Sequence, residues 1–262
     1  MMETVDIQNT FSKNANDKGE PIIAIKNLFK SFGSNHVLKD FNLTINKGEN
    51  IVVLGKSGCG KSVLIKCIVG LLKYDSGSIK VFGKEIKELK QTELDILRTR
   101  IGFVFQSSAL YDSMTVRENL EFPFRRQTVK HSKQELKEIV TETLNNVGLL
   151  NAMNLMPSEL SGGMRKRIGL ARALILKPEI MLYDEPTTGL DPITAKEISN
   201  LMLKMQMKYH TSSIIISHDM NCAHLTANRL AVMIDGINYA EGTFAELQHI
   251  NDPKVHAFFE NE

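Results

Sequence analysis

The sequence of 262 residues has no tryptophan, three cysteines and only 6% aromatic residues. Cys59, Cys67 and Cys222 form neither an even set for disulfides nor a metal-ligand spacing, which indicates a reducing compartment. No apolar stretch near the first residue has the features of a signal peptide. No uninterrupted run approaches the roughly 18 to 20 apolar residues that span a bilayer. We therefore expect a cytoplasmic chain, with any membrane-spanning segments supplied by a partner.

Neither sign of charge dominates, since 32 Lys and Arg stand against 30 Asp and Glu for a formal net charge of +2. So small an excess creates no global field that would gather nucleic acid, and no nucleic-acid partner is expected. The content of 42% hydrophobic and 24% charged residues is ordinary for a folded protein. A chain of this length can bury one large core with an attached lobe. We expect residues 1–20 to form a flexible tail before that core.

Two kinds of apolar run predict two kinds of strand. Residues 22–25 and 37–45 carry short apolar and β-branched runs, which are typical of antiparallel strands. Residues 51–54 (IVVL) and 180–183 (IMLY) are continuously apolar, as expected of strands buried on both faces of a parallel sheet. Residues 213–216 give a similar signal. Alternation of these strands with helices predicts right-handed βαβ units, and therefore an α/β fold.

Helices are predicted where apolar residues recur at a helical period. One covers residues 61–72, and another carries Leu94, Leu97 and Ile101 on a single stripe. Residues 132–135 form a capping box that starts a third, amphipathic helix. The remaining predicted helices cover residues 194–207 and 220–227.

A glycine-rich pattern at residues 55–62 (GKSGCGKS) matches GxxxxGK[ST] and lies between a predicted buried strand and a helix. Its backbone N–H groups can point at phosphate oxygens, and the helix adds its positive N-terminal end. Lys61 is expected to reach the β- and γ-phosphates of ATP, and Ser62 to bind Mg²⁺. A purely structural glycine turn is the alternative. The predicted nucleotide-binding residues of this P-loop are Gly55, Lys56, Ser57, Gly58, Cys59, Gly60, Lys61, Ser62 and Val63.

Cys59 lies inside the P-loop, close to Lys61 and to a helix N terminus, where a thiolate would be stabilised. The favoured role of Cys59 is nevertheless only to supply a small side chain at this position. We hypothesise that Cys59 can be alkylated and that bound ATP shields it.

Two carboxylates, Asp184 and Glu185, directly follow the apolar run at residues 180–183. Ligands bind at the carboxyl ends of strands in open α/β sheets, so Asp184 is the expected partner of Mg²⁺, through a water molecule. Glu185 can orient or deprotonate the attacking water. Taken alone, an Asp-Glu pair is more often a solvated turn. The four preceding apolar residues and the upstream P-loop favour the catalytic interpretation.

A second anion site is predicted at Ser161, Gly162 and Gly163, which open a helix whose first N–H groups are unpaired. A lone Ser-Gly-Gly is usually a flexible turn. The functional interpretation is favoured because this segment lies within an ordered series of polar residues. The other members of that series after the P-loop are Gln106 upstream and Asp184, Glu185, Asp191 and His218 downstream.

In this order the motifs resemble those of the nucleotide-binding subunit of an ATP-binding-cassette (ABC) transporter, over about residues 22–259. The resemblance implies one ABC ATP-binding domain over residues 21–262. Its expected fold is a P-loop NTPase (RecA-like) α/β core with an antiparallel β subdomain and an α-helical subdomain at about residues 107–172.

The same resemblance implies roles for individual residues. Glu185 matches the catalytic glutamate and His218 the histidine that senses the γ-phosphate. Gln106 matches a residue with both catalytic and metal-binding roles. Phe32 falls where the family stacks an aromatic ring on adenine, and Asp191 belongs to a loop at the nucleotide site.

ABC subunits carry the P-loop and the Ser-Gly-Gly segment, called the signature, on opposite-facing surfaces, so that each ATP lies between two subunits. The resemblance therefore implies a second copy of this chain as a partner. A monomer is then expected to hydrolyse ATP poorly.

Met164, where many relatives carry glutamine, and the surrounding residues 157–167 are similar to the Mla/MCE-type ATPases. Those systems move phospholipids or related hydrophobic lipids between bacterial membranes. The similarity implies integral-membrane permease subunits, an MCE-domain substrate-binding protein and a peripheral position on the cytoplasmic face of the inner membrane. The aromatic residues Phe122 and Phe124 lie where the family docks on its membrane partner, and they fit either a groove for a partner helix or the core.

Other functions stay open at this point. ABC branches for lipoprotein release, amino-acid uptake or cell division share the same catalytic residues. A soluble ABC ATPase acting on DNA or ribosomes is a competing class, although the sequence has neither a long coiled-coil insertion nor a second cassette. A simple P-loop kinase would need neither the signature helix nor the Asp-Glu pair in this order.

Overall fold

The computed structural model describes residues 21–126 and 130–260, so the expected flexible tail at residues 1–20 lies outside the described residues. Two sheets and several surrounding helices make up the described part of the chain. The strands are β1 (Ile23–Phe32), β2 (Asn35–Ile45), β3 (Asn50–Leu54), β4 (Ser76–Val81), β5 (Lys84–Glu85), β6 (Ile101–Val104), β7 (Ile180–Asp184), β8 (Ser212–Ser217), β9 (Arg229–Ile234) and β10 (Ile237–Gly242). The α-helices are α1 (Lys61–Ile68), α2 (Gln91–Thr99), α3 (Val116–Glu121), α4 (Lys133–Asn146), α5 (Gly162–Leu174), α6 (Pro192–Tyr209), α7 (Met220–Thr226), α8 (Phe244–Gln248) and α9 (Pro253–His256).

The smaller sheet has the order β2-β1-β4-β5. Its two long strands pair antiparallel from Ile23 opposite Ile45 to Phe32 opposite Asn35. The predicted antiparallel strands are therefore confirmed, but β1 extends well beyond its apolar run. The register shifts near Asn27, which has φ 46°. This bulge breaks the alternation on which a sequence-based strand boundary depends.

The larger sheet has the order β10-β9-β3-β8-β7-β6. The strands from β9 to β6 are parallel, and only β10 at the edge is antiparallel. All residues of β3 and β8 are buried, which confirms the prediction made from their continuous apolar runs. In this arrangement the carboxyl ends of β3, β8, β7 and β6 lie along one edge of the sheet, where open α/β sheets bind ligands.

The core lies on both faces of the larger sheet. Along β3, Ile51 and Val53 belong to one buried cluster, while Val52 and Leu54 belong to the other. Because successive side chains of a strand point to opposite faces, this alternation shows that helices or the smaller sheet cover each face. The strand ends are thereby held rigidly with respect to one another.

Two helix boundaries were predicted incorrectly. Helix α1 ends at Ile68 instead of residue 72, because Gly70 takes φ 65° and the Leu71 N–H donates to the Lys66 carbonyl at 2.9 Å. A left-handed glycine is a common helix terminator. Ile101 lies in β6, opposite Ile180 of β7, and does not extend the stripe of α2. The predicted helices at residues 194–207 and 220–227 are confirmed as α6 and α7.

Helices α3, α4 and α5 lie between β6 and β7. The Ser132 hydroxyl accepts from the Glu135 N–H at 3.2 Å, which confirms the capping box before α4. Val140 and Leu144 of α4 are fully buried in the same cluster as Ile168 of α5. This stretch overlaps the expected helical subdomain, whose limits of residues 107–172 stay a prediction. Across the described ranges, no helix is both long enough and apolar enough to cross a membrane.

Candidate functional site

The P-loop connects the end of β3 to the start of α1. Gly60 has φ 111°, and Gly58 has φ 83°. A Cβ atom on Gly55 would lie 2.5 Å from Cys59 Sγ and 2.9 Å from the Met233 carbonyl oxygen. Only glycine tolerates these conformations and this close approach without strain. The loop is therefore a compact glycine-dependent turn at the start of α1, which fits the predicted phosphate binding.

Lys61 begins α1 and is only 6% exposed. Its ammonium donates hydrogen bonds to the carbonyl oxygens of Gly55 at 2.6 Å and Lys56 at 3.1 Å. It also lies 3.8 Å from Glu185 Oε1. The loop thus folds around a cation that faces a carboxylate of the next motif. Of the other predicted loop residues, Lys56, Ser57 and Gly58 are exposed, and Val63 is half-buried.

The predicted Mg²⁺ ligands Ser62 and Asp184 are brought together by the sheet. The Ser62 hydroxyl donates to Asp184 Oδ1 at 3.1 Å. Burial raises the pKa of the Asp184 carboxyl above its ordinary value, and the Ser62 hydrogen bond opposes this effect. A hydroxyl beside a half-buried carboxylate is the hard oxygen donor set that Mg²⁺ prefers. The two residues therefore fit a magnesium ion, which when bound supplies positive charge to the phosphate oxygens.

Glu185 directly follows β7 and has φ 52°. A non-glycine residue in this region costs on the order of 1–3 kcal/mol, and such strain clusters at functional sites. Its N–H donates to the Ile216 carbonyl of β8 at 2.9 Å. Neighbouring parallel strands thus hold the unusual backbone and aim the side chain across the sheet edge.

His218 follows β8, and its Nδ1 lies 2.7 Å from Glu185 Oε2. The Thr188 hydroxyl donates to the same oxygen at 3.1 Å. The Glu185 side chain is only 12% exposed, whereas the His218 side chain is 61% exposed. A carboxylate held by two partners next to an accessible imidazole can accept a proton from water in a fixed geometry. The roles of base for Glu185 and sensor for His218 stay predictions.

Gln106 lies just after β6 and is exposed. Its backbone carbonyl accepts from Lys166 Nζ of α5 at 2.6 Å. The structure therefore brings Gln106 near the edge where Asp184 and Glu185 lie. Its predicted contact with the metal stays a prediction.

The signature opens α5, with Ser161 as the N-cap residue accepting from the Met164 N–H at 3.3 Å. Asp191 caps α6 in the same way, through Ile193 and Thr194. The signature and Asp191 line one cavity of about 470 Å³. As far as the described residues show, no part of residues 55–62 lines that cavity. Within one chain, the two predicted anion sites therefore do not share a pocket.

Phe32 ends β1 in the smaller sheet and is 50% exposed. Lys30 Nζ lies 5.0 Å from the centre of its ring. An exposed aromatic face with a neighbouring cation suits a stacking platform for a base. The adenine contact itself stays a prediction.

The expectation of a stabilised Cys59 thiolate is wrong. Burial raises the pKa of the Cys59 thiol, and the nearby Lys61 lowers it by a smaller amount. The sulfur occupies the space that a side chain at Gly55 would need, and Cys59 packs partly buried against the core. Proximity in sequence to a lysine and a helix N terminus does not reveal this burial.

Two contacts at the site involve residues that the sequence motifs did not identify. The first is the buried Lys166, whose ammonium lies between the loops after β6 and β7. The second is the hydrogen bond from the Thr187 hydroxyl to Asp219 Oδ2 at 2.8 Å, which links the segments after Glu185 and His218. In the sequence, Lys166 lies among Arg165 and Arg167 and looks like part of a solvated basic face. Only the packing of α5 distinguishes it from its neighbours.

A buried parallel sheet, a P-loop and paired carboxylates at one sheet edge define a P-loop NTPase. The comparisons with known proteins then specify the family. The family model described as "ABC transporter" matches residues 38–188. The chain belongs to this family, whose ATP-binding domains bind ATP with Mg²⁺ and hydrolyse it. It is therefore an ATPase domain.

Three relatives illustrate the range of the family. A probable ribonucleotide transport ATP-binding protein mkl of Mycobacterium leprae is 42% identical over 80% of this chain and 60% of its own length. The chloroplastic protein TRIGALACTOSYLDIACYLGLYCEROL 3 of Arabidopsis thaliana is 38% identical over 90% of this chain and 73% of its own length. The methionine import ATP-binding protein MetN of Clostridium tetani is 40% identical over 82% of this chain and 67% of its own length. The chain thus spans about 60% of the length of the mycobacterial relative.

A solved structure supports the fold. The dimeric, ADP- and phosphate-bound ATP-binding cassette MJ0796 superposes with a TM-score of 0.77 and 32% sequence identity. The match covers 84% of this chain and 98% of that one. The P-loop NTPase fold with an antiparallel sheet and additional helices is therefore confirmed.

The first prediction concerns Glu185. Glu185→Gln removes the proton acceptor while keeping the size of the side chain, so it should lower the rate of ATP hydrolysis by roughly 10²- to 10⁴-fold. The affinity for Mg-ATP should stay unchanged because Lys61 and the P-loop are intact. Phosphate release and equilibrium binding of a fluorescent ATP analogue measure the two effects. Near-normal hydrolysis by this variant would show that Glu185 is not the base.

The second prediction concerns Cys59. Since burial raises the pKa of its thiol, alkylation by iodoacetamide should be slow at pH 7 and accelerate as the pH rises and the thiolate forms. Mg-ATP should slow the reaction further. Peptide mass spectrometry follows each cysteine separately. The buried Cys67 and Cys222, whose thiol pKa is raised to about 11, serve as internal controls, and equal Cys59 rates with and without Mg-ATP would exclude shielding.

Proposed function

We propose that this chain is the ATP-hydrolysing subunit of an ABC transporter that moves phospholipid or a related hydrophobic lipid across or between bacterial membranes. The observation that carries the lipid proposal is Met164 in the signature, with the surrounding residues 157–167 similar to Mla/MCE-type ATPases. The name of the Arabidopsis thaliana relative, which is that of a glycolipid, supports the same class of cargo.

Amino-acid uptake is a second candidate cargo, because a methionine import protein is 40% identical to this chain. The described ATP site does not distinguish the two cargoes, since its residues are proposed to contact nucleotide and not cargo. Cargo must therefore be tested on the assembled transporter.

The proposed chemistry uses side chains that the structure brings to the sheet edge. Lys61 leaves its loop carbonyls to pair with the β- and γ-phosphates of ATP. The Glu185 carboxylate takes a proton from the attacking water, and Thr188 and His218 hold the carboxylate at Oε2. Because His218 is largely exposed, it can contact the γ-phosphate at the mouth of the site. Ser62, Asp184 and Gln106 are the residues proposed to hold Mg²⁺.

We further propose that the active form is a dimer of two such chains. The supporting observation is that the signature and Asp191 line a cavity separate from the P-loop. The dimeric ADP- and phosphate-bound cassette MJ0796 shows that a structural relative assembles as a dimer. Shifting a dimer from 1:99 to 99:1 closed requires roughly 5.5 kcal/mol of differential binding. Charge-assisted hydrogen bonds at two ATP sites are a plausible source of that energy.

The proposed permease contact is the surface between β6 and α5. Phe103 and Phe105 stack with their ring centres 4.0 Å apart, beside a cavity of about 180 Å³ lined also by Pro123 and Arg172. Phe122 contacts Tyr111, and Phe124 packs against the core cluster, so both are half-buried. Integral-membrane permease subunits, and with them an MCE-domain protein, would place this chain on the cytoplasmic face of the inner membrane.

The third prediction tests the composite site by complementation. Ser161→Arg should block the site of the partner copy, and Lys61→Ala should block the chain's own P-loop, so each variant alone is inactive. Mixing the two should restore hydrolysis, because the mixed dimer contains one intact P-loop facing one intact signature. Phosphate release after subunit exchange measures this. Adding the double variant to Ser161→Arg is the matched control, and it should restore nothing.

If instead each chain holds a complete site, the mixture will stay inactive. That result would remove the proposed dimeric mechanism and leave the ATPase assignment in place.

The fourth prediction tests the cargo. Affinity-tagged chain extracted from membranes should co-purify with integral-membrane subunits and an MCE-domain protein, and the complex should be enriched in phospholipid. After reconstitution, its ATP hydrolysis should respond to the phospholipid composition of the vesicles. Lys61→Ala provides the control, because its complex should assemble and bind lipid but not turn over. Stimulation by methionine in place of lipid would favour amino-acid uptake, and purification without any membrane partner would favour a non-transport ATPase.

A further inference from the structure

Lys166 is a buried cation at the junction of three functional segments. It lies in the second turn of α5, only 7% exposed. Its ammonium donates to the Gln106 carbonyl at 2.6 Å and lies 3.4 Å from the Glu185 carbonyl. The helix that carries Lys166 begins at the signature residue Ser161. One side chain therefore connects the signature helix with the loops after β6 and β7.

The surroundings of Lys166 differ from those of a structural ion pair. In the described part of the chain, Lys166 forms no salt bridge, and its ammonium donates to the backbone carbonyl oxygens of Gln106 and Glu185. Burial lowers the pKa of its ammonium, while Glu185 and Asp184 raise it through their charge. A buried ammonium without a direct carboxylate partner is costly. A methionine of similar length would fill the same space without that cost, so a packing role alone does not explain the lysine.

The contact between Lys166 and the Glu185 carbonyl restrains a residue whose backbone has a positive φ. Its amide is fixed by the Ile216 carbonyl of β8, and its own carbonyl faces Lys166. The peptide groups on both sides of the Glu185 Cα atom are thus held from different elements. A rotation at this residue would move the carboxylate away from His218, so the position of the carboxylate depends on both restraints.

We infer that Lys166 is a positioning residue for ATP hydrolysis, which fixes the backbone of Glu185 and Gln106 relative to the signature helix. It touches neither the phosphates nor the attacking water in this role. Through it, a movement of α5 changes the orientation of the Glu185 carboxylate. This inference rests on the proposed role of Glu185 as the base.

The fifth prediction follows from Lys166→Met, which keeps the length of the side chain and removes its donors. In the full-length protein, kcat should fall roughly 10- to 100-fold, while KM and the affinity for Mg-ATP stay within about twofold because the P-loop is intact. Lys166→Gln retains one donor for a carbonyl and should recover part of kcat. Lys208→Met, at an exposed lysine that bridges α6 to Asn146 and Glu142, is the matched control and should leave kcat unchanged.

A double-mutant cycle separates positioning from a general loss of structure. If Lys166 acts through Glu185, Lys166→Met should add no further loss to Glu185→Gln in single-turnover measurements. An additive loss, a fall in Mg-ATP affinity that matches the fall in kcat, or a normal kcat in Lys166→Met would each overturn the inference. Should Lys166→Met not fold, the same cycle with Lys166→Gln decides. Near-normal hydrolysis by Glu185→Gln alone would instead refute the assignment of the base.

Discussion

Parallel pairing of β3, β8 and β7 is the constraint on which the whole site depends. In this register Leu54 lies opposite Ser217, and Asp184 lies opposite Ile216. The P-loop and His218 follow β3 and β8, and the two carboxylates lie at the end of β7, so pairing alone brings segments more than one hundred residues apart to the same edge. Burial on both faces then fixes the edge, because any slip of a strand would disrupt both core clusters. The chemistry can therefore rely on short, irregular loops.

The sequence predicted those parts of the fold and of the site whose geometry is local. The P-loop glycines, the capping box at Ser132 and the carboxylates after an apolar strand each carry a signal within a few residues. The core strands were predictable for the same reason, since burial on two faces requires apolar residues at every position. The end of α1 at Gly70 and the start of β6 at Ile101 were missed, because each depends on a turn or a pairing that apolar periodicity does not report.

What could not be predicted depends on packing between distant segments. The raised pKa of Cys59 comes from burial of its thiol, and this effect outweighs that of the nearby Lys61. Lys166 becomes a buried contact only because α5 packs beside the loops after β6 and β7. Residue type and spacing alone suggest a thiol pKa lowered by Lys61 for Cys59 and a solvent-exposed side chain for Lys166. In the folded chain the pKa of Cys59 is raised and Lys166 is buried. Desolvation is the common cause, and it has no signature in a single sequence.

The balance of charge at the sheet edge fits the proposal that ATP is bound by two anion sites. Lys61 and Lys166 equal in number the carboxylates Asp184 and Glu185, so these four groups together carry no net charge. Mg-ATP is a net anion, and its phosphates must be stabilised by groups beyond these four. The P-loop N–H groups and the N terminus of α1 supply part of that stabilisation. The N terminus of α5 offers the same kind of stabilisation, but it opens into a different cavity of the same chain. In the proposed dimer, a second copy of the chain presents this terminus to the P-loop.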